Sequence, residues 1–281
     1  MCKRRKRKIS AAGNHPDGRP RHGGVRRAKP GGRLQASMRA RWVPPSHEHI
    51  VALSRAPKRD NEAMRSAAPM RVHGVAIGER LNGFALDGTP TDCVHFAVRA
   101  FGSEQRFDLV VSGINHGANI GTVHYYSGTV GAALEGLANG IPAIAVSQSR
   151  QREGFKTAAE FSARVVRQVL AQPLDEGVLL SINVPMGKIH CAVAAPPGLY
   201  PYELDFQPFG ETDGDAVYKR ETITPREPKP GLDVRAFMDG CITVTPLQLD
   251  RTHQSDFRDH RRLGAWPGVH VEPRTTGLIV H

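Results

Sequence analysis

Apolar and polar positions along residues 84–184 alternate in a way that predicts strands and helices in turn. Short apolar runs between turn residues are typical of buried strands, and apolar positions three and four residues apart predict helices with one buried face. Strands that alternate with helices form parallel βαβ units with right-handed crossovers, so the pattern predicts an α/β fold. The predicted strands are the one ending at Phe84–Leu86, then Phe107–Val111, Ala143–Val146, Val178–Val184 and Cys241–Leu247, with shorter candidates at His49–Leu53 and Arg71–Ile77.

Residue choices at the ends of the amphipathic segments predict where the helices begin and stop. Thr89 can cap a helix, Pro90 suits its first position, and Asp92 favours the positive end of the helix dipole. The second predicted helix covers Ser127–Asn139, with Gly140 after it as a left-handed terminator. The third covers Thr157–Ala171.

The same patterning divides the chain into segments. Residues 1–45 show almost no apolar periodicity and cannot bury enough apolar surface to offset ordering, so they are predicted to be a disordered basic segment. Residues 46–250 are predicted to form one α/β domain. Within it, residues 186–240 lose the strand–helix rhythm and read as a hairpin-rich excursion, and residues 251–281 read as a weakly ordered tail.

Charge is distributed unevenly along the chain. Residues 1–80 hold 20 Lys and Arg against 5 Asp and Glu, whereas the other residues hold 18 against 22. The basic run Lys3–Lys8 could neutralise phosphates, so nucleic-acid binding through residues 1–45 is one hypothesis. No aromatic residues are interleaved with this run for base stacking, which favours a solvated tail instead.

Hydropathy and cysteine spacing exclude further classes. No apolar run reaches the roughly 18 residues of a membrane-spanning helix. The four cysteines (Cys2, Cys93, Cys191 and Cys241) lie far apart without a CxxC pair, which argues against a zinc ribbon or disulfide scaffold. We therefore expect a reducing compartment, the cytoplasm.

A loop rich in Gly, Asn and Ser lies between the strand at Leu109 and the helix at Ser127. Such a loop lets the backbone approach a ligand, and the amides of the helix start attract anions. The candidate phosphate-binding residues are Ser127, Gly128, Thr129 and Asn119. Ser127 also suits an N-cap, a role that needs no ligand.

Several motifs of the chain resemble the SurE survival-protein family. They are GTPTDC (Gly88–Cys93), LVVSGINHGANIG (Leu109–Gly121), YSGTVGAALEG (Tyr126–Gly136), GIPAIAVS (Gly140–Ser147), INVP (Ile182–Pro185) and ITVTPL (Ile242–Leu247), in the family's order over about residues 82–250. The resemblance implies a Rossmann-like three-layer fold and metal-dependent hydrolysis of nucleoside 5′- and 3′-monophosphates. It also implies a homodimer or homotetramer without membrane association, built by hairpins and a swapped C-terminal element.

The resemblance further implies one Mg²⁺ or Mn²⁺ ion held by two adjacent Asp, a Ser and an Asn. The Asn is that of SGIN, here Asn115, whose neutral carbonyl oxygen suits such a cation. The family's two Asp lie in an Asn-Asp-Asp-Gly motif after its first strand, but Asp-Asp occurs nowhere in this chain. The most similar segment is Asn14–Gly18, in which Asp17 is separated from Asn14 by two other residues. The family's Ser is not placed among Ser46, Ser54 and Ser66. We therefore expect impaired activity, and one hypothesis is that residues 1–70 come from a shifted reading frame.

Two histidines and one aspartate near these motifs have alternative interpretations. His116 or His124 could protonate a leaving oxygen, although a loop histidine is more often solvent-exposed without such a role. Asp92 reads as a charge at a helix start. A protein that keeps the fold and binds nucleotide or a partner subunit without catalysis is the alternative to the nucleotidase.

Overall fold

The computed structural model of the chain describes residues 8–12, 49–54, 69–77, 81–102, 106–149, 154–199, 202–212, 214–225 and 227–251. Its strands are β1 (Lys8–Ala12), β2 (His49–Ser54), β3 (Val72–Ile77), β4 (Leu81–Leu86), β5 (Leu109–His116), β6 (Ala143–Gln148), β7 (Val178–Val184), β8 (Cys191–Ala194), β9 (Tyr202–Thr212), β10 (Asp215–Pro225) and β11 (Cys241–Gln248). Its helices are α1 (Pro90–Phe101), α2 (Gly128–Ala138), α3 (Lys156–Ala171) and α4 (Asp233–Met238), with a 3₁₀ turn at Gly121–Tyr126.

The described strands form one large sheet and a separate hairpin. The sheet order is β3-β4-β2-β1-β5-β6-β7-β11-β8, while β9 pairs with β10 alone. Six neighbouring strands of this sheet, in the order β4-β2-β1-β5-β6-β7, are parallel to one another. At the two sides of this group, β3 runs antiparallel to β4 and β11 runs antiparallel to β7. With helices on both faces, this sheet confirms the predicted three-layer α/β fold.

The central position of β1 corrects one sequence-based expectation. Lys8–Ala12 pairs in parallel with β2 on one side and with β5 on the other. The prediction that all of residues 1–45 are disordered is therefore wrong for these five residues, and the rest of that segment lies outside the described residues. This short strand was not predicted because its sequence, KISAA, has few strongly apolar residues.

Alternating side chains of the central strands build two apolar clusters, one on each face of the sheet. On one face Val110 and Ala145 pack with buried side chains of α1 and α2, such as Val94 and Val130. On the other face α3 covers the remaining side chains of the same strands. That second cluster contains Leu109, Ile144, Val146, Ile182 and Val184 together with Ala158, Val166 and Val169 of α3.

The start of α1 bears out the predicted capping residues. The Thr89 hydroxyl accepts from the Asp92 N–H at 3.2 Å, and the Asp92 carboxylate accepts from the Thr89 N–H at 2.7 Å. Pro90 occupies the first turn. Asp92 is 3% exposed, so this capping box anchors α1 within the core side of the sheet.

Two cysteines correct the expectation that the chain holds no disulfide. Cys191 of β8 and Cys241 of β11 are register partners on neighbouring strands and are joined by a disulfide. The sequence did not predict this pairing, because the two cysteines are 50 positions apart along the chain. Burial raises the pKa of the Cys93 thiol to about 12, which keeps it protonated. The cytoplasmic location stays a prediction, since its cysteine argument no longer holds for this pair.

Among the described residues, no helix combines the length and apolar content needed to cross a bilayer.

The close approach of α2 to β5 depends on Gly136. A Cβ added there would lie 2.6 Å from Cγ2 of Val110, a fully buried side chain. We expect Gly136→Ala to lower the free energy of unfolding by about 1–3 kcal/mol through overpacking, although alanine favours helices. Urea unfolding measures this. The matched control is Gly131→Ala in the same helix, where the added Cβ meets only the Thr91 hydroxyl at 3.1 Å; equal losses in the two variants would contradict the steric explanation.

Candidate functional site

The carboxyl ends of the central parallel strands bring several polar segments to one edge of the sheet. Asn115 near the end of β5 pairs with Ser147 near the end of β6, and Ala11 of β1 pairs with Ser112 of β5. The helix α2 begins at Gly128, after the loop that follows β5. Ligands of open α/β sheets bind at this edge, where the strands end and the loops that lead to the helices begin.

The end of β5 is irregular in a way that depends on glycine. Gly113 has a φ of 125° and precedes a cis peptide bond to Ile114, and the pairing with β6 shifts register between Ser112 and Asn115. A side chain at position 113 would collide with the carbonyl oxygen of Val146. Such a bulge changes the direction of the residues after it, which here include Asn115.

Asn115 offers one atom to a cation. Its side-chain N–H donates to the Gly117 carbonyl at 2.7 Å, so its carbonyl oxygen is the atom left for a ligand. No group of three or more metal-binding side chains occurs among the residues that the structure describes. Asn115 therefore offers a neutral oxygen that suits a divalent cation, without a group of three or more His, Cys, Asp or Glu side chains among the described residues to complete the site. Asp17 lies outside them, in the segment that follows β1.

Asn119 is part of a buried polar network that holds the loop to the sheet. Its N–H donates to the Asn183 side-chain carbonyl at 2.7 Å, and its own amide group donates to the Ser147 hydroxyl at 2.7 Å. The Asn183 amide returns a bond to the Asn119 carbonyl at 3.1 Å. At 6% exposure Asn119 shapes the loop; its predicted phosphate contact stays a prediction.

Ser127 caps α2, as the alternative interpretation held. Its hydroxyl accepts from the Val130 N–H at 3.2 Å, and its carbonyl accepts from the Gly131 N–H at 2.8 Å. The first N–H groups of a helix have no acceptor within the helix, which leaves those of Gly128 and Thr129 to face outward. Both residues are partly exposed, so a bound anion could reach them.

One buried carboxylate of this region was missed by sequence reasoning. Asp233, the first residue of α4, is 0% exposed and accepts three hydrogen bonds. These come from the Gly121 N–H at 2.9 Å, the His124 ring Nε2 at 3.1 Å and the Gly198 N–H at 2.7 Å. Its sequence context, Gly231–Val234, carries no strand or helix pattern, so only the fold reveals its partners.

The environment of Asp233 favours its charged form. The side-chain bond from His124 and the backbone bonds from Gly121 and Gly198 hold the pKa of Asp233 below its usual value, although desolvation by burial, the largest single influence, acts to raise it. An ionised Asp233 implies that the facing Nε2 of His124 carries a hydrogen. The other ring nitrogen, Nδ1, is buried and has no hydrogen-bond partner among the residues that the structure describes.

The two candidate histidines have different surroundings. His124 is 4% exposed, so the expectation of a solvent-exposed loop residue is wrong for it. His116 is exposed, and its ring meets Phe155 edge-on with 5.5 Å between the ring centroids. The proton-transfer role of either residue stays a prediction.

A cavity of about 400 Å³ lies beside His124 and extends along α2. Its lining contains Val130 and Leu134 of α2 and the end of β11, but none of the predicted metal or phosphate residues. The candidate site is thus the edge of the sheet around Asn115 and the start of α2, not this cavity.

Comparisons with known proteins agree with the motifs. The model of the family described as survival protein SurE matches residues 42–197. The 5′-nucleotidase SurE of Laribacter hongkongensis is 36% identical over 75% of this chain and 86% of that protein, and the one of Gloeobacter violaceus is 39% identical over 73% and 80%. A crystal structure of the SurE protein from Aquifex aeolicus superimposes with a TM-score of 0.68 at 26% identity, over 92% of this chain and 99% of that one.

The family match also bears on the first part of the chain. It begins at residue 42, well before the first matching motif at Gly88. A shifted reading frame would not reproduce family sequence, so this match argues against that hypothesis for residues 42–70.

Because of Asp233, the free energy of unfolding of the protein is expected to fall at acidic pH. Its pKa is lower in the folded than in the unfolded chain, where a carboxyl titrates near about 3.9. Its contribution is therefore complete above about pH 4 and is lost as the pH falls through the folded pKa. We expect Asp233→Asn to flatten the fall in unfolding free energy below about pH 4, measured by urea unfolding at several pH values. Asp239→Asn, an exposed change at the residue that follows α4, is the control; a wild-type slope in Asp233→Asn would contradict the assignment.

Proposed function

The chain belongs to the survival protein SurE family, and on that premise we propose that it is a 5′-nucleotidase. The reaction is the hydrolysis of a phosphoric monoester, which converts a nucleoside 5′- or 3′-monophosphate to nucleoside and phosphate. The observation that carries the proposal is the shared sheet edge, where Asn115 of β5 lies beside the loop that leads to the start of α2. Relatives that are 36% and 39% identical to this chain are named 5′-nucleotidases.

The start of α2 is proposed to bind the phosphate group. The outward N–H groups of Gly128 and Thr129 would donate to phosphate oxygens, and the helix dipole adds attraction for the negative charge. Ser127 holds these amides in place, because its hydroxyl and carbonyl already accept bonds from the next turn of the helix. Groups fixed before the reaction stabilise developing charge without reorganising.

Members of this family are in general metal-dependent, and we propose Mg²⁺ or Mn²⁺ for this chain. Asn115 would contribute its carbonyl oxygen, an oriented donor because its N–H is fixed to Gly117. A bound cation of this class polarises phosphoryl oxygens and lowers the pKa of a bound water. The carboxylates that complete such a site are not among the described residues. Asp17 is the first carboxylate in sequence after β1, so it is the residue to substitute first.

Phosphate release from AMP with Mn²⁺ tests the proposal directly. We expect low turnover that EDTA abolishes, and we expect Asn115→Ala to lower it further by about tenfold or more because the cation loses an oxygen ligand. Asp17→Asn reports whether the segment after β1 supplies a ligand. Asn139→Ala, at the opposite end of α2, is the control for folding and should retain turnover.

The contrary result identifies the alternative function. A folded sample that binds AMP but releases no phosphate with any divalent cation would contradict the nucleotidase. It would leave a protein that keeps the fold and binds nucleotide or a partner subunit.

The β9–β10 hairpin supports the proposed homodimer or homotetramer. Phe206, Phe209 and Tyr218 are 57%, 70% and 58% exposed on a two-stranded ribbon, and such ribbons are marginally stable alone in water. Exposed apolar groups of this kind mark protein contacts.

Light scattering after gel filtration measures the assembly. We expect at least a dimer, and a smaller species when Phe206 and Phe209 are both changed to Ser, because the apolar contact is lost. Phe155→Ser, at the partly exposed N-cap residue before α3, is the matched control. A wild-type monomer, or an unchanged assembly in the double variant, would contradict the role of the hairpin.

A further inference from the structure

The 3₁₀ turn at Gly121–Tyr126 directly precedes the start of α2. Its position therefore sets where Ser127, and with it the first helical amides, lie. Two residues of this turn, Gly121 and His124, are hydrogen-bonded to the same side chain. The Asp233 carboxylate accepts from the Gly121 N–H, at the first residue of the turn, and from the ring of His124, three residues later.

Asp233 also joins the turn to a third segment. Its second carboxylate oxygen accepts from the Gly198 N–H, and its own N–H donates to the Pro196 carbonyl at 2.9 Å. Residues 196–199 in turn lie against the 3₁₀ turn. A Cβ added at Gly121 would stand 2.9 Å from both the Gly198 carbonyl oxygen and Cγ2 of Val234. The turn and the segment after β8 thus meet without room for a side chain.

We propose that Asp233 is a positioning residue for the phosphate-binding start of α2. Resting on the proposed nucleotidase function, this assigns a role in that reaction to a residue in the distant segment between β10 and β11. Asp233 fixes the 3₁₀ turn at two points, and this holds the N–H groups of Gly128 and Thr129 on one location in space. It does not itself touch the substrate.

The carboxylate is required because it has two acceptor oxygens and no hydrogen to donate. One oxygen takes Gly121 and His124 and the other takes Gly198, so three donors are satisfied in a fully buried place. An asparagine would present an NH₂ group to one set of donors, and an unsatisfied buried donor is costly. The lowered pKa of Asp233 agrees with this donor set.

Asp233→Asn and Asp239→Asn form the test pair. Both change an aspartate of or next to α4, but the Asp239 side chain is 48% exposed and forms an ion pair with Arg235 at 2.7 Å. In Asp233→Asn we expect the KM for AMP and the inhibition constant of inorganic phosphate to rise together by about tenfold, as for loss of a hydrogen bond to a charged group. In Asp239→Asn both constants should stay within about twofold of wild type.

The KM and inhibition constants separate positioning from general destabilisation. A role in stability alone would reduce the folded, active fraction and so lower kcat, while leaving the KM and the phosphate inhibition constant of the remaining enzyme unchanged. Gly136→Ala shows that pattern if it only destabilises α2, and therefore serves as a second reference. Unchanged constants in Asp233→Asn would overturn the proposal.

Amide hydrogen exchange provides a readout that needs no turnover. Peptides covering residues 118–130 should exchange faster in Asp233→Asn than in wild type and Asp239→Asn, because the turn has lost its attachment. Equal exchange in all three proteins would overturn the proposal. If the wild type neither hydrolyses AMP nor binds inorganic phosphate, the proposed function fails and with it the phosphate-binding role; faster exchange in Asp233→Asn would then show only that Asp233 orders the turn.

Discussion

The arrangement of this molecule depends on the parallel pairing of its central strands. Parallel strands end on the same side of a sheet, so every loop that leaves β1, β5 or β6 starts at one edge. Asn115, the loop to α2 and the end of β1 are brought together there, although β1 is about 100 residues from the other two in the sequence. The two apolar clusters on either face keep the strands in register.

Close contact between backbones is the second constraint at this edge. Gly113 lies against the Val146 carbonyl, and Gly121 lies against the segment after β8. Side chains at either position would push the loop away from the sheet or from Asp233. The buried bonds among Asn119, Asn183 and Ser147 complete the attachment, because polar groups enclosed in this way are costly to leave unpaired. The loop is therefore held to the sheet by bonds that need no ligand.

Much of the fold was open to prediction from sequence because its signals are local. The strand Val178–Val184 and the capped start of α1 follow from short apolar runs and from Thr89, Pro90 and Asp92. β5 was predicted to end at Val111 but continues to His116. The prediction stopped early because a polar sequence that contains glycine is not typical of a strand. β1 was missed for the same reason. Its five residues form a strand because they are hydrogen-bonded to β2 on one side and to β5 on the other.

The candidate site divides along a similar line. The sequence by itself determined the α/β class, the family motifs, and the places of Asn115 in the segment after a strand and of Ser127 at a helix start, because each depends on neighbouring residues. Only the tertiary structure decided that Asp233 lies 2.9 Å from the Gly121 amide, that His124 is buried, and that Cys191 meets Cys241. These contacts join segments 50 to more than 100 residues apart. Their partners are chosen by sheet order and packing, and no local pattern of residues records that choice.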